Sequence, residues 1–265
     1  CTRAVELFVS PAGDDAHAGT REQPLRQIQT ALDRAKDRRA TIWLRQGVYR
    51  LTEPLVFTPA HSGTHLSSFP GESAVITSGL PVTGWTRVPH PRPGPGRPAE
   101  VWRASLNSKL RPLTLYDGKG RLERAASPPF RAAEPPKTAT QDGPEVRPSP
   151  TRLLFQAGQI DHVRSFAGTE VFILPWKDWV ANFLPVERVD RERRVLHTSV
   201  PGTYELSTPD AWTGLELFYR LENAPEFLET EREWCFDEAE RVLYLVAPAG
   251  SAPRDVIVPT LDHLI

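Results

Sequence analysis

The chain has 265 residues, of which 39% are hydrophobic and 25% are charged, so it holds enough apolar material for one large or two modest globular domains. Its 32 Lys and Arg residues against 33 Asp and Glu residues give a formal net charge of -1, which argues against nucleic acid or anionic lipid as a partner. No apolar run approaches the roughly 18 residues that a transmembrane helix needs.

The chain opens with a predicted strand, turn and helix. Leu7 to Ser10 is typical of a short strand, and the Pro-Ala-Gly-Asp-Asp sequence that follows it is typical of a tight turn. From Pro24 onward, apolar residues recur at helical spacing, which predicts an amphipathic helix of about four turns. These residues are Leu25, Ile28, Leu32 and Ala35. We expect their apolar stripe to cover the open end of the structure that the next strands build.

Short strands separated mostly by Gly or Pro are predicted in the next segment. They are Thr41 to Leu44, Val48 to Leu51, Leu55 to Phe57, Leu66 to Phe69 and Ala74 to Thr77. Without hairpin dipeptides or helices between them, such strands fit either a parallel β-helix or a β-sandwich. Gln46-Gly47-Val48-Tyr49 favours the β-helix, because glycine relieves backbone strain at the tight corner of a coil.

From about residue 80 the pattern becomes antiparallel. Pro89 to Pro98 is too rich in proline for a strand ladder, and Asp117-Gly118-Lys119-Gly120 predicts a hairpin turn. Ser127 to Pro150 holds 7 prolines and predicts a long surface excursion. Later strands are predicted at Leu153 to Phe155, Glu170 to Leu174, Val180 to Val189, Arg194 to Val200 and Leu215 to Leu221, with a second hairpin at Glu233 to Val246.

The predicted fold class is all-β, in three segments. Residues 1–79 are predicted to form an N-terminal cap and the first coils of a parallel β-helix. Residues 80–250 are predicted to form an inserted, antiparallel β-sandwich-like domain with Pro-rich loops. Residues 251–265 are predicted to return to the β-helix, with a strand near Val256 to Leu261.

Four groups of residues near the start of the chain form a recognisable series. They are Phe8-Val9-Ser10-Pro11-Ala12-Gly13-Asp14-Asp15, Gly19-Thr20, Pro24-Leu25 with Ile28 and Ala31, and Ile42-Trp43-Leu44-Arg45-Gln46-Gly47-Val48-Tyr49. The series resembles the opening segment of the pectate-lyase-like right-handed parallel β-helix superfamily. The resemblance implies that the Asp-rich turn orders the first loop and that the helix caps the open coil end. It continues at Ser62-Gly63-Thr64 and Pro70-Gly71-Glu72, where such proteins make their next corners.

A second series lies near the end of the chain. It comprises Glu222-Asn223-Ala224-Pro225-Glu226-Phe227-Leu228, Glu233-Trp234 and Leu243-Tyr244. This series is similar to glycoside hydrolase family 141 and related β-helix glycosidases. The sequence departs from those proteins at His61, where Asp often precedes Ser-Gly, and at Thr230-Glu231-Arg232, which replaces a Pro-Gly approach to Glu-Trp. In such enzymes the catalytic coils follow the inserted domain, so the resemblance implies catalytic carboxylates beyond residue 265.

Two glutamates are candidates for the carboxylate pair that a glycosidase needs. Glu222 and Glu233 flank a predicted tight return, beside Asn223 and Trp234, which are candidate substrate-binding residues. The alternative interpretation is that both carboxylates bind loop backbone or cap local structure.

Other residues are candidates for ligand contact. Trp176 and Trp179 predict either a platform for sugar rings or packing in a seam between domains. Asp14 and Asp15 suit either Ca²⁺ or turn stabilisation. The 7 histidines lack zinc-like spacing, and the sequence has no phosphate loop, nucleophile elbow or Cys-x-x-Cys motif. No metal site and no cofactor other than that Ca²⁺ is therefore expected.

The two cysteines lie far apart, at Cys1 and Cys235, in a chain without methionine. A cysteine at the first position resembles the lipidated residue of a processed bacterial lipoprotein, although an arbitrary boundary would also place it there. If Cys1 is lipidated, Cys235 is an unpaired thiol that fills a strand position; the alternative is a disulfide between them. We expect an exported protein, periplasmic, at the cell surface or secreted, whose membrane contact is a lipid anchor at Cys1.

The resemblances predict the N-terminal part of an exported glycoside hydrolase that acts on a complex polysaccharide. One alternative is a polysaccharide lyase on the same scaffold, which needs Ca²⁺ or a basic residue to neutralise a uronate and remove its C5 proton. Another is a non-catalytic surface protein that binds glycans. Each alternative has a polysaccharide or oligosaccharide as its partner.

Overall fold

The computed structural model describes residues 5–92, 94–106, 110–134, 149–175, 180–206, 216–248 and 251–265. Within these ranges the chain forms one α-helix and 20 β-strands, so the protein is all-β apart from that helix. They fall into two compact units, one comprising the residues up to Pro81 together with Ile257–Ile265, the other Val82–Val256. No helix in the described part of the chain is long and apolar enough to cross a membrane.

The elements of the first unit are short. They are β1 (Val5–Val9), α1 (Ile28–Ala35), β2 (Ala40–Leu44), β3 (Gly47–Arg50), β4 (Thr64–Ser68), β5 (Ala74–Thr77), β6 (Leu80–Pro81) and β20 (Ile257–Val258). β1, β2 and β4 form a parallel sheet in which Leu7, Ile42 and Leu66 stand side by side. β3 and β5 also pair in parallel, whereas β6 and β20 pair antiparallel. The chain segment that contains β2 and β3 therefore runs in the same direction as the segment that contains β4 and β5.

The corner after β2 explains the Gly-x-Tyr sequence. A Cβ atom at Gly47 would lie 2.7 Å from Cγ of Pro11, so a larger residue does not fit there. The buried Tyr49 hydroxyl lies 2.8 Å from the carbonyl oxygens of Val9 and Arg45. Burial raises the pKa of Tyr49 to about 12, so the phenol keeps its proton for these carbonyls. The corner is thereby fastened to β1.

The predicted length of the helix is wrong, because α1 has 8 residues rather than about four turns. Leu25 is still extended: its N–H donates to the Phe8 carbonyl at 2.8 Å, and its backbone bridges Val9. The predicted apolar stripe is present, with Ile28, Ala31, Leu32 and Ala35 all buried against the strands of the first unit.

The predicted strand from Leu55 to Phe57 is also wrong. These residues have no strand assignment, and the side chain of Gln29 accepts the Val56 N–H at 3.0 Å. A side chain on α1 therefore satisfies a backbone group that a strand would have paired with a neighbouring strand.

The second unit is formed by strands β7 to β19. They are β7 (Thr86–Pro89), β8 (Glu100–Ser105), β9 (Tyr116–Asp117), β10 (Gly120–Arg121), β11 (Glu123–Arg124), β12 (Phe130–Arg131), β13 (Arg152–Leu154), β14 (Glu170–Ile173), β15 (Asn182–Asp190), β16 (Val195–Thr198), β17 (Phe218–Glu222), β18 (Glu233–Asp237) and β19 (Val242–Leu245). One sheet has the order β11-β18-β19-β8-β7 and a second has the order β12-β17-β14-β15-β16-β13. Apart from the parallel β11–β18 pair, the pairing in both sheets is antiparallel.

Both sheets bury residues in one hydrophobic core. Val101 and Cys235 come from the first sheet, and Val171, Leu196 and Leu221 come from the second. Both predicted hairpins are confirmed, since β9 pairs with β10 around the Asp-Gly-Lys-Gly turn and β18 pairs with β19. The central part of the predicted Pro-rich excursion, residues 135–148, lies outside the described residues.

Cys235 is a free thiol within this core, with no exposed surface. Burial raises its pKa well above the ordinary value, with the charges of Glu226 and Asp237 acting in the same direction. Because the thiolate is the reactive form, we expect Cys235 to resist a thiol reagent such as Ellman's reagent in the native protein and to react fully in denaturant. A Cys235→Ser variant provides the blank, and rapid native labelling at Cys235 would contradict this buried position.

Candidate functional site

A polar cleft of about 460 Å³ lies within the second unit. It is named the Asn223 cleft and is defined by the charged residues Arg103, Arg164, Glu226, Asp237 and Glu240, together with Asn223 and Tyr244. A volume of this size is within the usual range of small-molecule sites.

Strand register brings part of this lining together. Tyr244 on β19 stands opposite Arg103 on β8 and opposite Cys235 on β18. Because alternate residues of a strand share one face, Asp237 at the end of β18 lies on the same face as Cys235. The apolar part of that face enters the core, and its polar end lines the cleft.

Asn223 also lines the cleft. It has a left-handed backbone with φ of 69°, which is uncommon for a residue other than glycine. Its Nδ2 donates to the carbonyls of Gly168 and Phe236 at 2.8 and 2.9 Å, and its Oδ1 accepts the Phe236 N–H at 2.8 Å. The side chain therefore holds the end of β17 against β18. This leaves it little capacity to bind a substrate through the amide nitrogen.

Glu226, in the short turn Pro225–Phe227, is only 4% exposed. Its Oε1 accepts the Arg164 N–H at 3.1 Å, whereas its Oε2 has no hydrogen-bond partner in the described part of the chain. Arg103 reaches Glu240 at 3.4 Å, but its buried Nε also has no partner among the described residues. Two residues that line the cleft thus each carry a buried polar atom without a hydrogen-bond partner in the described part of the chain.

Tyr244 adds a hydroxyl to this lining. Burial raises its pKa, opposed by the guanidinium of Arg103 and assisted by the carboxylates of Glu240 and Asp237. The phenol therefore remains protonated near neutral pH and can both donate and accept a hydrogen bond.

The structure places the predicted candidate Glu222 in an ion cluster. This Glu170 cluster consists of Arg111, Arg124, Glu170, Glu222 and Glu238. Glu170 on β14 stands directly opposite Glu222 on β17, and Arg124 bonds Glu170 while lying 3.8 Å from Glu222. Arg111 contacts Glu170 at 3.2 Å and Glu238 at 3.6 Å. Two carboxylates thereby share one guanidinium.

The electrostatics of Glu222 follow from this arrangement. Burial raises the pKa of its carboxyl; the Arg124 guanidinium opposes this shift and the neighbouring Glu170 charge adds to it. A partly buried carboxyl with a raised pKa beside a second carboxyl is a feature of acid catalysts, but structural ion networks share it.

Glu233 has a different set of partners. Its Oε2 accepts the N–H groups of Glu229 and Thr230 at 2.6 and 3.1 Å, and its Oε1 accepts the Thr230 hydroxyl at 2.9 Å. These contacts agree with the interpretation of Glu233 as a ligand of its own loop.

Of the aromatic candidates, Trp234 lies within the described residues. Trp234 is 1% exposed in β18, so its ring has almost no surface for a sugar. Trp176 and Trp179 lie outside the described residues, as does Cys1.

The adjacent aspartates bind backbone groups. Asp14 Oδ1 accepts the Ala16 N–H at 2.9 Å, and Asp15 Oδ1 accepts the Arg26 and Gln27 N–H groups at 3.1 and 2.9 Å just before α1. Among the described residues no group of three or more His, Cys, Asp or Glu side chains is arranged to hold a metal ion.

Sequence reasoning missed several polar residues at these sites. Glu170, Arg124 and Arg103 are ordinary strand residues in the sequence, and only the strand register brings them to their partners. Glu226 falls inside the Asn-Ala-Pro-Glu-Phe-Leu motif. Its position near Asn223 in that motif was the one feature of the sequence that could have marked it as a site residue.

Comparisons with known proteins give short or distant matches. No protein-family model matches the chain. A pectate lyase of Emericella nidulans is 38% identical over 76 residues, which make up 28% of this chain and 18% of that protein. A solved complex of XylC with xylose has a TM-score of 0.32 at 16% identity, over 95% of this chain and 34% of the other.

A solved structure described as a glycoside hydrolase is more similar. It has a TM-score of 0.75 at 21% identity, over 99% of this chain and 47% of its own. The chain therefore spans less than half of each of these three proteins. It has the fold of the corresponding part of the structure described as a glycoside hydrolase.

Proposed function

We propose that the chain is the N-terminal part of a carbohydrate-active enzyme that hydrolyses glycosidic bonds in a complex polysaccharide. The observation that carries the proposal is the shared fold with a structure described as a glycoside hydrolase, over 99% of this chain. The proposal includes export of the protein.

The proposed scaffold is the pectate-lyase-like right-handed parallel β-helix, and the proposed family is glycoside hydrolase family 141 or a related group of β-helix glycosidases. Its support lies in the first unit, where β1, β2 and β4 stack in parallel and β3 stacks on β5. Two parallel ladders with a tight corner between them are how the successive coils of such a helix begin. The local identity with a pectate lyase agrees with this scaffold.

The second unit supports a role in glycan contact. Carboxylates, guanidinium groups and a phenol converge on the Asn223 cleft, and these groups bond hydroxyls in either direction. The catalytic pair of carboxylates is proposed to lie beyond residue 265, with the cleft as a binding region.

A second candidate function is a polysaccharide lyase on the same scaffold. It is favoured by one observation, the 38% identity with a pectate lyase over 76 residues. A lyase removes the C5 proton of a uronate and leaves a double bond in its product, whereas a hydrolase adds water and leaves none.

The test uses the full protein that carries this chain, incubated separately with xylan and with polygalacturonate. We expect new reducing ends without the ultraviolet absorbance of an unsaturated product. Absorbance from a new double bond would show that the protein is a lyase and would overturn the hydrolase proposal. Binding to either polymer with no new ends would overturn the enzyme proposal in favour of a glycan-binding surface protein.

A further inference from the structure

We propose that the Asn223 cleft binds a neutral sugar residue in preference to a uronate. This inference rests on the proposed function, because it takes the ligand to be a glycan. It specifies which class of glycan the second unit selects.

The first argument is the pair of buried polar atoms without partners. Oε2 of Glu226 needs a donor and Nε of Arg103 needs an acceptor, since neither has a hydrogen-bond partner among the described residues. A buried polar atom left unpaired destabilises the protein, so a ligand that supplies the missing partner is favoured. A sugar hydroxyl supplies both kinds, because it donates to a carboxylate and accepts from a guanidinium.

The second argument is the charge of the lining. The carboxylates of Glu226, Asp237 and Glu240 outnumber the guanidinium groups of Arg103 and Arg164. The charge of Arg103 is offset by Glu240 at 3.4 Å, whereas Nη2 of Arg164 donates to the neutral Pro91 carbonyl at 3.2 Å.

A uronate would bring a further negative charge into this lining. It would meet the buried carboxylate of Glu226, where water screens repulsion weakly. A neutral sugar avoids that repulsion while making the same hydroxyl contacts. The cleft therefore discriminates by charge, against the substrate class of a pectate lyase.

The test is calorimetric titration of the 265-residue chain with xylotetraose, cellotetraose, mannotetraose and tetragalacturonate. We expect at least one neutral tetrasaccharide to bind about tenfold more tightly than tetragalacturonate. Equal or tighter binding of tetragalacturonate, or no binding of any neutral probe, would overturn the inference.

Glu226→Gln locates the site, because it keeps an acceptor for the Arg164 N–H and removes only the charge. We expect about tenfold weaker binding of the neutral sugar and a smaller preference over tetragalacturonate, as for the loss of one hydrogen bond to a charged group. Tyr244→Phe, a second cleft variant, should also weaken binding and serves if Glu226→Gln does not fold. Glu192→Gln, at an exposed turn, is the matched control and should bind as the parent chain does.

The two proposals fail in distinguishable ways. If the full protein cleaves xylan but the cleft variants bind sugars unchanged, the cleft assignment is wrong and the enzyme proposal stands. If the full protein produces no new ends while the chain binds neutral sugars through Glu226, the enzyme proposal is wrong and the cleft assignment stands.

Discussion

Replacing Glu170 by Gln is expected to lower the free energy of unfolding by about 3 kcal/mol. Glu170 is the central carboxylate of the Glu170 cluster; its side chain is 9% exposed and contacts both Arg124 and Arg111. Removing its charge leaves the Arg124 guanidinium buried with a poorer partner. The loss falls at the low end of the range for broken buried ion pairs, because Glu222 remains 3.8 Å from Arg124.

Glu222→Gln is the informative comparison, because the two carboxylates are cross-strand neighbours with opposite expected effects. The folded-state pKa of Glu222 is raised, so its ionised form is disfavoured in the native protein. That unfavourable contribution is present above the folded-state pKa and is relieved as the pH falls through it. Glu222→Gln should therefore leave the free energy of unfolding at neutral pH unchanged or slightly higher. The variant should also lack the part of the stability increase at lower pH that the parent chain gains when Glu222 is protonated.

Both variants are measured by urea titration at several pH values, with Glu187→Gln on the exposed face of β15 as the control. A third titration, of Glu170→Gln followed by NMR of the Glu222 carboxyl, should find a lower pKa for Glu222 than in the parent chain. Equal losses of stability for the Glu170 and Glu222 variants would show that the two carboxylates share Arg124 evenly, contrary to this account.

Replacing Asn223 by Ala is also expected to lower the free energy of unfolding by about 3 kcal/mol. The variant removes three hydrogen bonds and leaves backbone groups of Gly168 and Phe236 without their partner. It also places alanine in a left-handed conformation that asparagine tolerates better.

Asn223→Gly separates the two causes, because glycine accepts the left-handed backbone but restores no hydrogen bond. We expect the free energy of unfolding of the glycine variant to be about 1 kcal/mol higher than that of the alanine variant and well below that of the parent chain. Urea titration with fluorescence detection measures all three proteins. If Asn223→Ala lost less than about 1 kcal/mol, the three bonds would not hold β17 to β18 as described.

Local chemistry made some elements predictable. The Asp-Gly-Lys-Gly turn between β9 and β10 follows from residues that tolerate positive φ, and the Lys119 N–H bonds Asp117 Oδ1 at 2.8 Å as such a turn requires. The buried stripe of α1 likewise follows from its spacing. Its start did not, because the backbone of Leu25 is held by Phe8 and Val9, whose positions the helical pattern does not encode.

The candidate site was less accessible to sequence reasoning, for a related reason. Glu222 and Asn223 stood out because they belong to one motif, but their partners Glu170, Gly168 and Phe236 come from other strands and loops. A single sequence carries no record of which strands become neighbours. The unpaired oxygen of Glu226 is also invisible there, because burial without a partner is a property of the assembled core.

The two ends of the second unit meet: the Val82 N–H donates to the Val256 carbonyl at 2.8 Å, next to the positions where Leu80 pairs with Val258 and Pro81 with Ile257. A segment whose ends are this close can be lengthened, shortened or exchanged without altering the register of the strands that bracket it. Residues 82–256 therefore form a segment whose length can change while Leu80 and Pro81 stay paired with Val258 and Ile257.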